Sequence, residues 1–326
     1  MTTEKITIAL TGASGLIGSH LLAALLGEGY RLRTLSRRPH LESACVTPIQ
    51  GDIRSLDSVR ELTQGCSAVI HLAGIAHTSL RSQAERDEAE RINVDGARNV
   101  LAAAHETGAE RVLLASSAHV YVGQEGNNLG EQSATADDSF YARTKLLVEQ
   151  AGLEAASAGG PAIVIVRPCL TYGPGVRFNL ESLMGAIRGH YYFHVRGANP
   201  MRSFLSVDNA AAAIAHLLRA GENGRIYNLA DQTPISLVEF VNSLADLMQT
   251  SRPRNLPLFA IRLAIAGMAP LKWMGLCSPI NSESLRKLTV SFTLDVRQLA
   301  ASGFRWSDDS VTARRRMVEA YCRSRK

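Results

Sequence analysis

A tyrosine and a lysine one helical turn apart could carry acid–base chemistry in this chain. Tyr141 and Lys145 lie in the stretch Tyr141–Ala158, whose composition predicts a helix. Residues at positions i and i+4 share one face of a helix. A free tyrosine has a pKa of about 10 and is a poor base at neutral pH. A nearby ammonium and a nicotinamide cation would stabilise the phenolate, so that Tyr141 could exchange a proton with a substrate oxygen.

Ser117 is the third residue that we expect to act in catalysis. It follows the predicted strand Arg111–Ala115, at the carboxyl edge where parallel α/β sheets bind ligands. Its hydroxyl could donate to a substrate oxygen as negative charge develops there. Ser116 is the alternative for this role, and His119 could also touch the substrate.

These side chains need a framework, and the first half of the chain predicts one. Short apolar strands alternate with helical stretches, which implies parallel βαβ units with right-handed crossovers. The predicted strands are Ile6–Thr11, Arg31–Ser36, Val46–Gly51, Ala68–Leu72, Arg111–Ala115, Ala162–Arg167 and Arg225–Leu229, and the predicted helices are Ser19–Leu26, Ala84–His105 and Tyr141–Ala158. We therefore expect an α/β fold with a Rossmann-type, doubly wound parallel sheet.

A glycine loop joins the first predicted strand to the first helix. Within Thr11–Gly18 the glycines recur at every third residue. Gly12 allows a tight turn, Gly15 lets the backbone approach a pyrophosphate, and Gly18 lets the helix pack close to the sheet. The helix N-terminus favours an anion. The pattern predicts a dinucleotide site, with further contacts from Ser14, Leu16 and Ile17.

The end of the second strand bears on which dinucleotide binds. NAD sites usually place an acidic residue there, whereas this strand ends in Ser36, Arg37 and Arg38. An arginine fork can pair with a 2′-phosphate. We therefore favour NADP(H) as the cofactor, with NAD(H) as the alternative.

Further cofactor contacts are expected where later strands end. Asp52 could accept from the adenine amine, and small residues after His71 would let the cofactor lie against the backbone. His71 itself is expected to be structural, while Lys145 could hold the nicotinamide ribose. The expected contacts outside the glycine loop and the arginine pair are Asp52, Ile53, Leu72, Ala73, Gly74, Ser116, Tyr141, Lys145 and Pro168.

The alternation of strands and helices breaks after Pro168, where loops rich in glycine, proline and aromatic residues begin. We expect two interleaved domains. Residues 1–170 plus about 205–232 would bind NAD(P). Residues from about 171–204 plus 233–326 would bind the substrate.

Composition excludes several classes of protein. The 326 residues are 46% hydrophobic and 20% charged, which excludes a disordered or fibrous chain. The net charge of +5 comes largely from a basic tail, which is a weak indication of nucleic-acid binding. We expect a solvated final helix there and no nucleic-acid partner.

The cysteines and the apolar segments give the expected compartment. The cysteine count is odd and no pair has CxxC spacing, which argues against disulfides and a metal site and favours a reducing cytoplasm. No secretory signal is recognised. Arg262, Pro270 and Lys272 interrupt the most apolar stretch, Leu256–Leu276, so we expect a buried or lid helix and no stable membrane insertion. The cysteines are Cys45, Cys66, Cys169, Cys277 and Cys322.

Over nearly its whole length the chain resembles the extended short-chain dehydrogenase/reductase family, within it the nucleotide-sugar epimerases, dehydratases and 4-keto reductases. The resemblance is carried by Thr11–Gly18, Asp52, His71–Gly74, Asn93, Ser116–Tyr121, Tyr141, Lys145 and Arg167–Gly175. It implies that Asn179 opens a helix against the substrate diphosphate and that Arg202 and Arg286 pair with phosphate. It also implies a homodimer built from the helices over 84–105 and 141–158.

The resemblance implies an NADPH-dependent reductase of a UDP-4-keto-6-deoxy-N-acetylhexosamine in bacterial surface polysaccharide synthesis. Tyr141 would supply the proton and Ser117 would polarise the ketone. An NAD-dependent UDP-hexose or UDP-N-acetylhexosamine 4-epimerase would use the same residues. Leu170, where galactose epimerases have asparagine, and the arginine pair put simple galactose epimerisation in doubt. A reductase of steroid- or flavonoid-like carbonyls and a non-catalytic dinucleotide sensor are further alternatives.

Overall fold

A seven-stranded parallel sheet lies at the centre of the computed structural model, which describes residues 6–38, 43–75, 82–267, 282–306 and 309–325. From one edge to the other its strands are Arg225–Leu229, Ala162–Pro168, Arg111–Ala115, Ala68–His71, Thr7–Thr11, Arg31–Ser36 and Val46–Gln50. All neighbouring strands of this sheet pair in parallel. The predicted α/β class with a Rossmann-type sheet is confirmed, and each predicted strand of this sheet lies within one residue of the observed bounds.

The inner strands of the sheet are apolar on both faces, which lets helices cover them from both sides. Ile8 and Leu10 of the first strand are fully buried, as are Val69 and Ile70 of its neighbour. A parallel strand covered by helices on both sides buries every residue, so it appears in the sequence as a continuous apolar run.

Helices cover the two faces of this sheet. Their bounds are Leu16–Gly27, Leu56–Thr63, Gln83–Glu90, Gly96–Glu106, Phe140–Ser157 and Val207–Ala220. The single helix expected over 84–105 is interrupted by a π-helical turn, Arg91–Asp95. Asn93 in this turn accepts from the Ile75 N–H at 2.7 Å and donates to Thr144 Oγ1 at 3.2 Å. The widened turn thus ties the helix to the backbone beside the site.

The remaining strands are short and come from distant segments. A four-stranded sheet contains, in order, Ile235–Ser236, Met201–Arg202, Phe292–Leu294 and Gly126–Leu129, and two strand pairs are Leu170–Tyr172 with Phe204–Ser206 and Phe193–Val195 with Arg254–Leu256. The helices of this region are Asn179–Arg188, Leu237–Leu247, Leu258–Gly267, Ser282–Lys287, Arg297–Ala301 and Ser310–Arg323, and 3₁₀ turns span Ala118–Val120 and Val122–Gln124. Gly126–Leu129 belongs to the segment that we expected to bind the cofactor, yet it pairs with Phe292–Leu294.

A separate aromatic cluster holds the substrate-side region together. The rings of Phe204 and Phe240 stack at 3.9 Å between centroids, and Tyr172 meets both edge-on. Met184 and Met317 of two helices complete this core. The cluster fixes the loop after Pro168 against the helices that follow it.

The long apolar stretch forms the helix Leu258–Gly267 where the structure describes it, and residues 268–276 lie outside the described residues. Phe259 is 74% exposed and Leu263 72% exposed, whereas Ile261 is buried. The described part of this helix is therefore only partly buried, and the lid alternative stays a prediction. Within the described residues no helix is long and apolar enough to cross a membrane.

The same described part of the chain holds no group of three metal-ligating side chains. Its four cysteines are free, and Cys277 lies outside it.

Candidate active site

The glycine loop has no room for side chains at Gly12 and Gly18, and its bare backbone lets a ligand approach closely. Gly12 has φ +75°, and a Cβ there would lie 2.7 Å from the Ala73 nitrogen. A Cβ on Gly18 would lie 2.0 Å from the Gly12 carbonyl oxygen. Gly15 caps the helix without a side-chain hydrogen bond. The N–H groups of the first turn therefore face a cradle that fits a pyrophosphate.

A cavity of about 290 Å³ runs from this loop along the sheet edge. It is lined by nine of the predicted cofactor residues: Gly12, Ser14, Gly15, Arg37, Asp52, Ile53, Leu72, Ala73 and Gly74. Leu16, Ile17 and Pro168 line a second cavity that adjoins the loop, and Gly18 packs beneath it. Arg38 is not among the lining residues of either cavity. These residues would hold an extended dinucleotide, with its adenosine end beside Arg37 and Asp52.

The carboxylate of Asp52 has a partner within the protein. Arg54 donates to it through Nε at 2.9 Å and through Nη2 at 2.6 Å. The Arg54 guanidinium lowers the pKa of Asp52 to about 2, and Arg37 contributes to this shift. Asp52 is therefore a carboxylate at neutral pH, and Arg54 shares its oxygens with any ligand amine.

The three candidate catalytic residues meet at the end of the strand Arg111–Ala115. Ser117 and Tyr141 line the same cavity, and the Ser117 side chain lowers the pKa of the Tyr141 phenol. Lys145 Nζ lies 5.9 Å from the centre of the Tyr141 ring. His119 stands edge-on to that ring at 5.7 Å, and its Nδ1 lies 3.3 Å from Ser117 Oγ. The geometry suits proton transfer at Tyr141, assisted by Ser117.

Burial shifts the pKa values of Tyr141 and Lys145. Burial raises the pKa of Tyr141, and the hydrogen bond from Ser117 opposes the rise. The expected depression of this pKa is therefore not produced by the protein's own groups, and a cationic nicotinamide ring would have to supply it. Burial lowers the pKa of Lys145 to about 8, so at pH 7 its ammonium form predominates.

The two candidate serines, Ser116 and Ser117, have different surroundings. Ser116 is 3% exposed, and its hydroxyl lies 2.5 Å from Glu149 Oε1. Ser117 lines the second cavity together with Tyr141. The geometry favours Ser117 as the substrate-facing hydroxyl. It leaves Ser116, which we expected to contact the cofactor, bound to a carboxylate that the sequence analysis did not single out. Glu149 lies four residues after Lys145, and that spacing alone could have identified it.

The second cavity, of about 750 Å³, connects the glycine loop to Ser117, Tyr141 and Asn179. A third, of about 440 Å³, is lined by His119, Asn179, Arg202 and Arg286. His119 and Asn179 line both, so the cavity of the reacting centre and the cavity of the two arginines adjoin each other.

The three residues expected to contact phosphate, Arg202, Arg286 and Asn179, have different partners within the protein. Arg202 donates to the Lys287 carbonyl oxygen at 2.5 Å. Arg286 forms an ion pair with Glu125 at 3.0 Å. Asn179 opens the helix Asn179–Arg188, which has no side-chain cap at its N-terminus. An anion in the third cavity would meet both guanidinium groups, one of them already balanced by Glu125.

The parallel sheet, the glycine cradle and the Ser–Tyr–Lys site together define a nicotinamide-dependent oxidoreductase. Residues 8–230 match the model of the NAD dependent epimerase/dehydratase family, and the chain belongs to that family. It is thus an NAD(P)-dependent oxidoreductase of the short-chain dehydrogenase/reductase superfamily, as the sequence predicted.

Two curated relatives share most of the chain. The 4-hydroxy-2-methyl-3-oxo-4-farnesyl-3,4-dihydroquinoline-1-oxide ketoreductase of Stigmatella aurantiaca is 29% identical over 285 residues, 85% of this chain and 84% of the relative. Short-chain dehydrogenase/reductase family 42E member 1 of Xenopus laevis is 28% identical over 264 residues, 74% of this chain and 68% of the relative. Among solved structures, MoeE5 in complex with UDP-glucose and NAD superposes with a TM-score of 0.76 at 26% identity, covering 98% of this chain and all of MoeE5.

Proposed function

We propose that this protein is an NADPH-dependent reductase of a UDP-4-keto-6-deoxy-N-acetylhexosamine. The observation that carries the proposal is that two cavities adjoin at His119 and Asn179. Ser117 and Tyr141 line one of them, and Arg202 and Arg286 line the other. A nucleoside diphosphate sugar needs this combination: a reacting centre for the sugar, and cations with a helix N-terminus for the diphosphate. The solved structure of MoeE5 with UDP-glucose and NAD is of the same fold.

In this proposal each residue has a defined task. When bound, the nicotinamide cofactor supplies the hydride for C4 of the sugar. Ser117 donates a hydrogen bond to the C4 ketone oxygen, which stabilises its developing negative charge. Tyr141 gives that oxygen a proton. Lys145 holds the nicotinamide ribose, which places the positive charge of the oxidised ring beside the resulting phenolate.

A 4-epimerase of UDP-hexoses or UDP-N-acetylhexosamines is the second candidate. It would use Ser117, Tyr141 and Lys145 in both directions of hydride transfer and would keep NAD bound throughout. The NAD bound to MoeE5 favours this candidate. Arg37 favours the reductase, because it lines the cofactor cavity and can pair with a 2′-phosphate.

A reductase of a lipophilic ketone is the third candidate. The name of the Stigmatella relative favours it, as do the apolar side chains of the third cavity. These include Leu170, Leu183, Phe204 and Phe292. The two arginines of that cavity argue for an anionic substrate instead.

Four further points belong to the proposal. Residues 1–170 and about 205–232 bind NAD(P), and residues from about 171–204 plus 233–326 bind the substrate. The protein works in the cytoplasm of a bacterium, in surface polysaccharide synthesis. It is a homodimer, with the segments over 84–105 and 141–158 at its interface. It has no nucleic-acid partner and no stable membrane insertion.

One assay separates the candidates. The protein is mixed with NADPH and enzymatically generated UDP-4-keto-6-deoxy-N-acetylglucosamine, and the absorbance of the reduced nicotinamide is followed. Loss of NADPH in proportion to the keto sugar supports the reductase. A parallel tube holds UDP-N-acetylglucosamine without added cofactor, and its C4 epimer there, with a silent first tube, would establish the epimerase. Turnover of a steroid or alkyl ketone alone would support the lipophilic alternative.

A further inference from the structure

Glu149 and Arg167 form an ion pair beneath the candidate active site. Arg167 donates through Nε to Oε1 at 2.8 Å and through Nη2 to Oε2 at 2.7 Å. The two side chains are only 5% and 4% exposed. A buried ion pair adds little net stability, because the cost of desolvation offsets the attraction, and apolar residues of similar volume often replace it without loss. Stability alone therefore does not account for a pair at this position.

The pair is connected to the site through the strand end. Lys145 Nζ donates to the Ala115 carbonyl oxygen at 2.7 Å. The Ser116 hydroxyl donates to Glu149 Oε1 at 2.5 Å. Two consecutive residues of the strand end are thus bound by two side chains one turn apart on the helix Phe140–Ser157. This double attachment fixes the strand end against the helix both along and across the helix axis.

We propose that Glu149 is a positioning residue that sets Ser117 against Tyr141 and holds the Lys145 ammonium in place, with Arg167 fixing its carboxylate. Ser117 is the residue directly after the attached strand end, and Tyr141 lies one turn before Lys145 on the same helix. A change at Glu149 therefore reaches both the residue before Ser117 and the helix that carries Tyr141, and these two side chains line one cavity. The inference rests on the proposed function, in which Tyr141 and Lys145 carry the chemistry.

The charges around Lys145 support this role. Glu149 and Tyr141 face it from its own helix, and His71 faces it from the strand Ala68–His71. His71 is neutral, because burial lowers its pKa to about 3. Arg167 approaches Glu149 from the strand Ala162–Pro168. Burial lowers the pKa of Lys145 and the Glu149 carboxylate opposes that shift, so removing this charge should release the lysine proton at a lower pH.

A direct test follows the lysine rather than the reaction. The full-length protein is labelled with ¹³C at the lysine Cε, the resonances are titrated by NMR, and K145R assigns the Lys145 signal. We expect a midpoint near pH 8 in the natural protein and a midpoint lower by about one pH unit or more in E149Q. E154Q, on the exposed side of the same helix, is the matched control and should leave the midpoint unchanged. An unchanged midpoint in folded E149Q would overturn the proposal.

A second variant keeps the test informative if E149Q does not fold. E149M with R167M replaces the ion pair by apolar side chains of similar length. We expect it to unfold near the temperature of the natural protein, yet to show the lowered Lys145 midpoint and a pH–kcat profile displaced in the same direction. A folded double variant with the natural midpoint and profile would show that the pair is only structural. If Y141F retained turnover, the proposed function would fail, but the lysine titration would still decide the role of Glu149.

Discussion

Lys145 donates a hydrogen bond of 2.7 Å to the carbonyl oxygen of Ala115, the last residue of the strand that precedes Ser117. The lysine therefore has a structural partner before any ligand binds. This contact holds the ammonium at the strand end, 5.9 Å from the centre of the Tyr141 ring. A side chain that is already held loses less conformational freedom when it binds a ligand, which favours tight and oriented binding.

Substitution of the candidate acid should separate chemistry from binding. Y141F removes the phenol hydroxyl that lines the same cavity as Ser117. General acid–base groups contribute roughly 10²- to 10⁴-fold to turnover, and we expect a loss of kcat in that range with cofactor affinity nearly unchanged. Steady-state rates and nicotinamide fluorescence titrations measure the two quantities. Y191F, at a 69% exposed tyrosine, is the control. Turnover that survives in Y141F would remove Tyr141 from the chemistry.

The two arginines after the second strand offer a matched pair for the cofactor. Arg37 lines the cofactor cavity and Arg38 does not. R37A should weaken NADPH binding by about 1–3 kcal/mol, the value of a charge-assisted hydrogen bond, and should change NADH binding much less. R38A makes the same change of net charge and should leave both affinities nearly unchanged. Dissociation constants for both cofactors in both variants provide the measurement. Equal weakening of NADPH and NADH by R37A would contradict a 2′-phosphate contact.

The main sheet could be predicted from the sequence because its information is local. An alternating pattern defines Arg31–Ser36 and a mostly apolar run defines Arg111–Ala115, both to the residue. The strands of the four-stranded sheet are two to four residues long, too short to show an alternating pattern. They are brought together by segments as distant as Gly126–Leu129 and Phe292–Leu294, and no local pattern encodes such a pairing.

The site could be predicted only where a motif carries it. The spacing of Tyr141 and Lys145 identified one face of a helix, whereas the carboxylate one turn further was missed. Its ion pair is with Arg167, which the sheet places alongside Ser116 by pairing Val166 with Ala115. The π-helical turn at Asn93 was missed for a similar reason, because its bonds to Ile75 and Thr144 are tertiary.

Replacing glycine by alanine at two positions of the first helix should change the unfolding free energy in opposite directions. G18A would place a Cβ 2.0 Å from the Gly12 carbonyl oxygen, and we expect a loss of about 1–3 kcal/mol in unfolding free energy with cofactor binding strongly reduced. Gly27 ends the same helix, and no atom lies within 4 Å of a Cβ placed there. G27A should therefore stabilise the protein by roughly 0.5–1 kcal/mol. Denaturant unfolding of both variants measures this, and wild-type cofactor affinity in G18A would refute the close packing.

Removal of a phosphate-side arginine should affect substrate binding more than turnover. Arg202 borders the third cavity and donates to the Lys287 carbonyl oxygen. If it pairs with the substrate diphosphate, R202A should raise KM for the nucleotide sugar at least about tenfold, equivalent to roughly 1.5–3 kcal/mol, with a smaller change in kcat. R196A, at an exposed arginine, is the control for net charge. An equal rise of KM in both variants would mean that only long-range charge is involved.

A histidine in the first helix should make stability depend on pH. His20 Nδ1 lies 3.0 Å from Asp208 Oδ1, and its Nε2 lies 3.3 Å from the Pro174 carbonyl oxygen. The bond to Asp208 raises the pKa of His20, against the opposing effects of burial and of Arg316. Because the folded pKa is the higher one, the stabilisation is complete below the unfolded pKa of about 6.5 and disappears as the pH rises through the folded value.

A double-mutant cycle measures this dependence. H20Q, D208N and the double variant are unfolded by denaturant at pH 6 and at pH 8.5. We expect a coupling energy of roughly 0.5–1.5 kcal/mol at pH 6 and a clearly smaller one at pH 8.5, since neutral His20 no longer carries the charge that Asp208 attracts. The cycle cancels the separate ion pair of Asp208 with Arg316, because D208N removes that pair in both halves. A coupling energy that stays constant between the two pH values would mean that His20 remains neutral in the folded protein, and that its contact with Asp208 is an ordinary hydrogen bond.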